Sequence, residues 1–384
     1  MKHKDTKTQK HEDTKKARIS DFQMRAFFVS SCLCVFVSLQ RQPSFSTRGI
    51  HRAAVLCCVL LLGGWTAIEA QAPATAQAHV AAARAVAYRP GQDFTWIFNE
   101  LCNEPSPPQP RPAGQPAAAP APRRIPARSE WFHEPAKVFD NLYYVGSQLQ
   151  SMWAVTTSDG IILHDTAYDY MVEEQVDKGL RKLGLDPAQI KYVIVSHGHG
   201  DHYLGAKYLQ QKYHPRIIMS EADWNFVAKD DTPAELKPER DMVATDAMKL
   251  TLGDTTLTLY LTPGHTPGTI STLIPIKNGN QRHLASIWGG NGISARGFSN
   301  LTEAVKLYSA SAKRYRDIAV KAGADVYLSS HTVHDKTLDK LNALRFLNPG
   351  DPHPFVSKDA VQRHLTLVGE CAGAQLAWLT SSAR

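Results

Sequence analysis

The sequence predicts an α/β fold in which two mixed β-sheets pack face to face and carry helices on their outer faces. Strand-like and helix-like segments mix in two successive halves between about residue 130 and the end of the 384-residue chain. In each half the hairpin patterns come first and the helical patterns come later. No short-period repeat is present, which argues against a solenoid.

In the first half, β-branched and aromatic residues bounded by turn residues predict the strands. Apolar residues spaced three to five apart predict the long helix over 168–183. The predicted strands cover 139–145, 152–157, 161–165, 190–195 and 217–219, and two further helices cover 203–213 and 221–227.

In the second half, Gly253-Asp254 and Gly279-Asn280 are typical of hairpin turns. They join strands predicted over 249–252, 256–261, 269–276 and 283–288. A long helix, one strand and two final helices follow, over 301–322, 325–329, 336–346 and 357–379.

The N-terminal region is typical of a targeting segment. Residues 53–68 form an apolar run that follows Arg48 and Arg52 and precedes the small residues around Ala72. The run is shorter than the ~20 residues of a spanning helix. We therefore expect residues 1–72 to be a leader and the protein to be exported to the periplasm or secreted, with no integral membrane domain in the mature chain. An uncleaved membrane anchor is the alternative.

Residues 73–128 form an Ala- and Pro-rich extension. Nine prolines fall within 105–126, which predicts an extended linker, while 76–86 is helix-like. We expect an autonomous domain over 129–384. Only Cys102 and Cys371 lie beyond the leader, and they could pair in an oxidising compartment.

The net charge of +7 is concentrated in the leader. Residues 1–72 hold 11 Lys and Arg against 5 Asp and Glu, whereas the other 312 residues hold 32 against 31. The remaining chain is almost neutral and has no basic cluster, which argues against a nucleic-acid partner or a nuclease. A small-molecule substrate is the expected partner.

One short segment concentrates metal-binding side chains. Residues 196–202 read Ser-His-Gly-His-Gly-Asp-His and directly follow the predicted strand 190–195. A loop at a strand end can turn alternate side chains toward one point, and imidazole and carboxylate groups suit zinc. An isolated histidine is often a surface or core residue, but four potential ligands at this spacing indicate a metal site.

This segment resembles the H-x-H-x-D-H signature of the metallo-β-lactamase superfamily. The resemblance extends over about 130–345 and includes Gly160–Thr166, Thr262–Gly268 and Asp325–His331 in the expected order. It implies a four-layer αββα sandwich with the metal site at one edge. It also implies two zinc ions, held by the ligand set His197, His199, His265 and Asp201, His202, His331.

The resemblance also implies a mechanism. Two zinc ions about 3.5–4 Å apart would share a hydroxide, because zinc-bound water ionises near pH 7. Asp201 would orient this nucleophile and pass its proton to the leaving group. Asp165 would support the ligand loop by accepting a hydrogen bond, or it is a plain strand-end acid. His334 competes with His331 for the last ligand position, and His331 is favoured because it directly follows the strand.

Position 291 bears on the substrate. Thioesterases similar to glyoxalase II and many lactonases have an aspartate there that bridges both metals, and one lactamase subclass has a cysteine. Asn291 is a poor bridge between two cations. The chain is therefore most similar to the histidine-rich dizinc subclass, which usually has a serine nearby. Asn291 and Ser294, with Arg296 as a further candidate, could bind a substrate carboxylate, or they are ordinary loop residues.

The expected function is thus zinc-dependent hydrolysis of a β-lactam. The first alternative is hydrolysis of another small ester, lactone or thioester. The second is a sandwich protein that binds a metal or a partner without catalysis, which the departure at Asn291 and the long extension would favour.

Overall fold

The structure is a computed structural model that describes residues 75–105 and 124–381. Its first sheet has seven strands in sequential order, antiparallel up to the fourth strand and parallel after it. These strands are β1 (Ala136–Phe139), β2 (Leu142–Tyr144), β3 (Trp153–Thr157), β4 (Gly160–His164), β5 (Ile190–Ile194), β6 (Arg216–Ser220) and β7 (Met242–Ala244).

The second sheet has five strands, in the spatial order β12-β11-β10-β9-β8. Its neighbours are antiparallel except for the parallel pair β11 and β12. These strands are β8 (Met248–Leu252), β9 (Thr255–Leu261), β10 (Ile270–Asn278), β11 (Gln281–Trp288) and β12 (Val326–Ser329).

Helices cover the outer faces of both sheets. In chain order they are α1 (Ala76–Ala87), α2 (Thr95–Leu101), α3 (Arg128–Trp131), α4 (Asp169–Val172), α5 (Lys178–Lys182), α6 (Gly200–Tyr203), α7 (Ala206–Tyr213), α8 (Glu221–Lys229), α9 (Leu301–Lys321), α10 (Thr332–Asp335), α11 (Thr337–Leu344) and α12 (Lys358–Ser381). One π-helical turn, Glu173–Asp177, joins α4 to α5.

The core between the sheets is apolar. Trp153 and Ile162 from the first sheet pack in one buried cluster with Leu259 and Ile274 from the second. Side chains alternate along each strand, so the opposite faces pack on the helices. The predicted four-layer αββα sandwich is therefore confirmed.

Among the strands, one predicted strand is divided in the structure and one observed strand was not predicted. The strand predicted over 139–145 is broken at Asp140-Asn141 into β1 and β2. The Asp140 carboxylate accepts a hydrogen bond from the Gly279 N–H at 2.6 Å, and the Asn141 side chain accepts one from the Lys277 N–H at 2.8 Å. These contacts fix a turn beside the second sheet. Strand β7 was not predicted because Met-Val-Ala contains a single β-branched residue, whereas the predicted strand over 217–219 begins with two isoleucines.

The described part of the extension packs on the second helical layer. Ala83, Phe94 and Ile97 are buried in the same cluster as residues of α9 and α12. A disulfide bond joins Cys102 to Cys371 on α12, a pairing that the sequence left open. Most of the linker lies outside the described residues, so the boundary near residue 129 stays a prediction.

The apolar runs at 26–39 and 53–68 also lie outside the described residues. Among the residues that the structure describes, no helix has the length and apolar character needed to cross a membrane.

Candidate metal centre

The histidine-rich segment lies where the two sheets meet. It follows β5, and the Ser196 carbonyl accepts a hydrogen bond from the Ile270 N–H of the second sheet at 2.8 Å. His197 and His199 lie on the loop, whereas Asp201 and His202 lie on the short helix α6. The passage from loop to helix therefore brings these four side chains close together within six residues of sequence.

The other two candidate ligands come from the second sheet. His265 lies on the loop between β9 and β10, and His331 directly follows β12. The loop after β11 passes close to His265, because a Cβ atom on Gly290 would lie only 2.5 Å from the His265 ring. Glycine at this position allows that close approach.

The six side chains form two adjoining groups. Donor atoms lie within 4.8 Å of one another in each group. The first group is His197, His199 and His265, and the second is Asp201, His202 and His331. The rings of His197 and His202 bring the groups together, with centroids 4.0 Å apart.

Hydrogen bonds show which ring nitrogens of the first group face its centre. The Nδ1 atoms of His197 and His265 lie 2.8 Å from the carbonyl oxygens of Gly289 and Gly292. Carbonyl oxygens only accept, so both Nδ1 atoms carry hydrogen and both Nε2 atoms carry lone pairs. These Nε2 atoms are 3.1 Å apart. Two facing lone pairs repel, and a cation bound between them removes the repulsion.

The second group is oriented by a carboxylate instead. His202 Nδ1 donates to Asp165 Oδ2 at 3.0 Å, and His202 Nε2 lies 3.2 Å from His331 Nε2. Asp165 also accepts hydrogen bonds from the Ser196 N–H at 2.7 Å and the Ser196 hydroxyl at 2.9 Å. Asp165 thus fixes both a candidate ligand and the start of the ligand loop. The donor chemistry of both groups fits zinc.

The pKa values favour neutral imidazoles in most of the cluster. Burial is the first cause of the lowered values, and neighbouring histidines add to it. The pKa is lowered to about 4 for His265, to about 3 for His199 and His331, and well below its usual value for His197. The neutral form is the one that binds a metal.

His202 and Asp201 behave differently. Burial lowers the pKa of His202, but the carboxylates of Asp201 and Asp165 outweigh it and raise this pKa to about 10. Burial would raise the pKa of Asp201, but His202 and His331 hold it far below its usual value. Asp201 is therefore ionised at neutral pH, as a metal-binding carboxylate must be.

Asp223 is a site residue that the sequence did not reveal. It is buried on α8 and joins the two ligand loops, since Oδ2 accepts from the Gly198 N–H at 2.8 Å and from the Thr266 hydroxyl at 2.7 Å. Its Oδ1 accepts from the Gly268 N–H at 2.8 Å. Burial raises the pKa of Asp223 to about 6. In the sequence it is indistinguishable from an ordinary acidic residue in a first helical turn.

The remaining candidate residues lie apart from the two groups. Asn291 is 7% exposed, and its side chain donates to Ser329 Oγ at 3.1 Å. Ser294 is exposed and accepts from the Arg296 N–H at 3.3 Å. His334 bonds to Glu100 at 3.1 Å, so the structure brings His331 rather than His334 to the second group.

A cavity of about 470 Å³ lies beside the first group. Its lining includes Phe226 and Arg296, whose guanidinium group lies 5.4 Å from the centre of the Phe226 ring. The Phe226 ring is 6.0 Å from that of His199. The charge of Arg296 adds to burial in lowering the pKa of His199. A positive charge therefore lies at the edge of the candidate centre.

Known proteins share parts of this sequence. The sequence model of the metallo-β-lactamase superfamily matches residues 146–278. The N-acyl homoserine lactonase AttM of Agrobacterium fabrum is 34% identical over 109 residues, which cover 26% of this chain and 41% of the lactonase. The probable metallo-hydrolase YybB of Bacillus subtilis is 26% identical over 120 residues, which cover 30% of this chain and 52% of that protein. The chain thus spans about two fifths to one half of these relatives.

Solved structures share the fold of this chain over about two thirds of its length. BJP-1 of Bradyrhizobium japonicum, a subclass B3 metallo-β-lactamase, has a TM-score of 0.54 and 25% identity, with 66% of this chain and 97% of that chain covered. FEZ-1 of Legionella gormanii has a TM-score of 0.53 and 24% identity, with 61% of this chain and 92% of the FEZ-1 chain covered. LRA-12, a class B3 di-zinc enzyme from an Alaskan soil metagenome, shares the fold at a TM-score of 0.52 and 20% identity, with 64% and 94% covered.

The fold and the relatives together resemble metallohydrolases with an αββα sandwich. The predicted resemblance to the metallo-β-lactamase superfamily is confirmed, because the sequence model of that superfamily matches residues 146–278 and BJP-1 shares the fold. The predicted similarity to the histidine-rich subclass is also confirmed, because subclass B3 enzymes are among its structural relatives.

Proposed function

We propose that this protein is an exported dizinc hydrolase that opens β-lactam rings. The main support for this proposal is the set of candidate metal ligands. Within the described residues it contains five imidazoles and a single carboxylate, that of Asp201. Asn291 occupies the position where a bridging aspartate is expected in lactonases and thioesterases, and its amide is turned to Ser329. This set supports a histidine-rich lactamase rather than those enzymes.

In this proposal His197, His199 and His265 hold one zinc ion, and Asp201, His202 and His331 hold the other. When bound, the zinc ions supply an activated water and polarise the carbonyl group of the substrate. The two-group arrangement is consistent with the di-zinc enzyme LRA-12, which shares the fold.

Asp201 provides the acid–base chemistry. Its carboxylate is ionised at neutral pH, since His202 and His331 hold its pKa far below the usual range. Being ionised, it can orient the attacking water by accepting a hydrogen bond at a carboxylate oxygen, and it is the group that would take up the proton that this water loses. The same proton then passes to the nitrogen of the opened ring, which leaves as an amine.

Residues beyond the ligands would bind and orient the substrate. Arg296 supplies a positive charge beside His199, and Ser294 lies exposed on the same loop. These two residues are suited to the carboxylate that most β-lactams carry next to the scissile ring. Asn291 is mostly buried, and its Oδ1 atom is buried without a hydrogen-bond partner among the described residues, so Asn291 is less suited to contact the substrate than Ser294 and Arg296.

The experiment is a metal-replete activity screen. Zinc-loaded protein should hydrolyse nitrocefin and a carbapenem, with two zinc ions per chain by elemental analysis. Bound zinc without turnover of any β-lactam would remove the lactamase proposal. The same screen includes an N-acyl homoserine lactone and lactoylglutathione, because the similarity to AttM favours a lactone as the second candidate substrate.

Export is supported by the disulfide bond. Disulfides persist in oxidising compartments and are rare in the cytosol. The Cys102–Cys371 bond joins the extension to α12 and thus fits a protein that folds outside the cytosol. Cell fractionation followed by thiol alkylation would test this, and a cytosolic protein with both thiols reduced would contradict it.

A further inference from the structure

A helix of the N-terminal extension reaches the candidate metal centre. Glu100 on α2 accepts a hydrogen bond from His334 Nε2 at 3.1 Å. His334 follows His331 by three residues, and the two rings are 5.8 Å apart. A carboxylate from outside the predicted hydrolase domain therefore lies beside the second ligand group.

The second oxygen of Glu100 faces the edge of the first group. A Cβ atom on Gly292 would lie 3.8 Å from Glu100 Oε1 and 4.0 Å from His265 Cε1. The Glu100 side chain is 35% exposed, and no hydrogen bond to Oε1 is found within residues 75–105 and 124–381. This oxygen remains available to a hydrogen-bond donor that enters the centre past Gly292.

The charge of Glu100 affects Tyr308, which contacts the loop after β11. Together with burial it raises the pKa of Tyr308, whose hydroxyl donates to the Gly290 carbonyl at 3.3 Å. Gly290 in turn touches His265. The carboxylate thus contributes a negative potential on this side of the centre, whereas Arg296 contributes a positive one beside His199.

Two exposed apolar side chains belong to segments that contact the residues around His331 and His334. Trp96 on α2 is 44% exposed, and its ring centroid is 4.9 Å from that of His334. Leu149 is 48% exposed, and its carbonyl accepts from the Thr332 N–H, next to His331. Large exposed apolar groups beside a polar site are typical of ligand-binding surfaces.

The extension is held firmly at this place. Cys102, two residues after Glu100, is bonded to Cys371. The Gln375 side chain donates to the Leu101 carbonyl at 2.6 Å. Both contacts anchor the end of α2 to α12, so the position of the Glu100 carboxylate is fixed by covalent and hydrogen bonds.

We propose that the acyl side chain of the substrate lies against Trp96, Leu149 and Glu100. Glu100 then determines specificity by favouring an ammonium or other donor group on that side chain and by disfavouring a second carboxylate. The inference rests on the proposed β-lactamase function. It specifies which charge the acyl side chain of the preferred substrate carries.

Three penicillins with one phenyl-bearing scaffold test this directly. Benzylpenicillin is neutral at the side-chain α-carbon, ampicillin carries an ammonium group and carbenicillin a carboxylate. In Glu100→Gln, kcat/KM for carbenicillin relative to benzylpenicillin should rise about tenfold, and that for ampicillin should fall about threefold. Trp96→Ala should raise KM for all three by a similar factor, because the contact of the uncharged Trp96 ring with the phenyl group does not depend on the charge at the α-carbon.

Glu370→Gln is the matched control. Glu370 on α12 also pairs with a histidine of the extension, His79 on α1, at 2.7 Å. If loosening of the extension caused the effect, both variants would change the substrate ratios alike. Equal changes in the two variants, or unchanged ratios in Glu100→Gln, would overturn the inference.

Calorimetric titration separates this inference from the proposed function. Each penicillin is titrated into zinc-loaded wild type and Glu100→Gln. Charge-dependent binding that Glu100→Gln removes would support the inference even if no penicillin is hydrolysed, in which case the proposed function fails. Turnover without charge dependence would overturn the inference alone, and no binding and no turnover would overturn both.

Discussion

The two candidate ligand groups each contain three side chains but differ in what orients them. In the first group, His197 and His265 donate to backbone carbonyls of the loop after β11. In the second, His202 donates to a side chain, the carboxylate of Asp165. The orientation of the first group therefore depends on the path of the backbone. The orientation of the second group depends on one buried carboxylate, so a single substitution can disturb it.

The largest expected effect is at Asp201, the one carboxylate of the second group. Asp201→Asn removes the group that accepts and returns the proton, so kcat for nitrocefin should fall about 10²–10⁴-fold. Zinc content is measured in parallel. Activity near that of the wild type with both zinc ions bound would contradict the acid–base role.

The next effect concerns the support of the second group. Asp165→Asn should weaken zinc binding at the second group about 10–100-fold and at the first group much less, because the amide oxygen can keep the hydrogen bond from the Ser196 N–H whereas the acceptor for His202 is lost. Competition with a chelator measures both affinities. The control is Asp325→Asn, which breaks a comparable pair, Asp325 with His283 at 2.7 Å, outside the centre. Equal loss at both zinc sites would contradict the difference between the groups.

A smaller effect is expected at Asp223, which joins the backbones of both ligand loops. In Asp223→Asn the amide can accept on one side only, so one of the N–H groups of Gly198 and Gly268 loses its acceptor. We expect both zinc affinities to weaken together by about tenfold, at a cost of about 1–3 kcal/mol in stability. Chelator competition and thermal melting measure these, and loss at a single site would be contrary to expectation.

The smallest effect is a pH dependence of the zinc-free protein. The pKa of His265 is lowered to about 4, so below pH 6.5 the unfolded state binds a proton that the folded state does not. Stability should therefore fall as the pH drops from 7 toward 4. In His265→Gln this slope should be shallower, whereas His214→Asn at an exposed position should leave it unchanged. Equal slopes in all three proteins would argue against the buried neutral state.

Local sequence patterns predict a large part of the fold and of the candidate centre. Apolar periodicity and hairpin turns were sufficient for the two-sheet sandwich, because both report local preferences. The spacing of His197, His199, Asp201 and His202 indicated the centre for the same reason. These signals lie within a few residues of each other along the chain.

Contacts between distant segments could not be predicted in this way. Asp223 and Glu100 act through partners far away in the sequence, and neither stands in a local motif. The sequence favours His331 over His334 because His331 follows the strand, and the contact of Glu100 with His334 is a second reason that the sequence does not show. Only the folded chain shows that the extension borders the centre.

The central claim is that two zinc ions occupy these two groups. Diffraction from crystals of the zinc-loaded protein on both sides of the zinc absorption edge tests it most directly. We predict two anomalous peaks, one contacting His197, His199 and His265, and one contacting Asp201, His202 and His331. A single peak, or peaks at other residues, would contradict it.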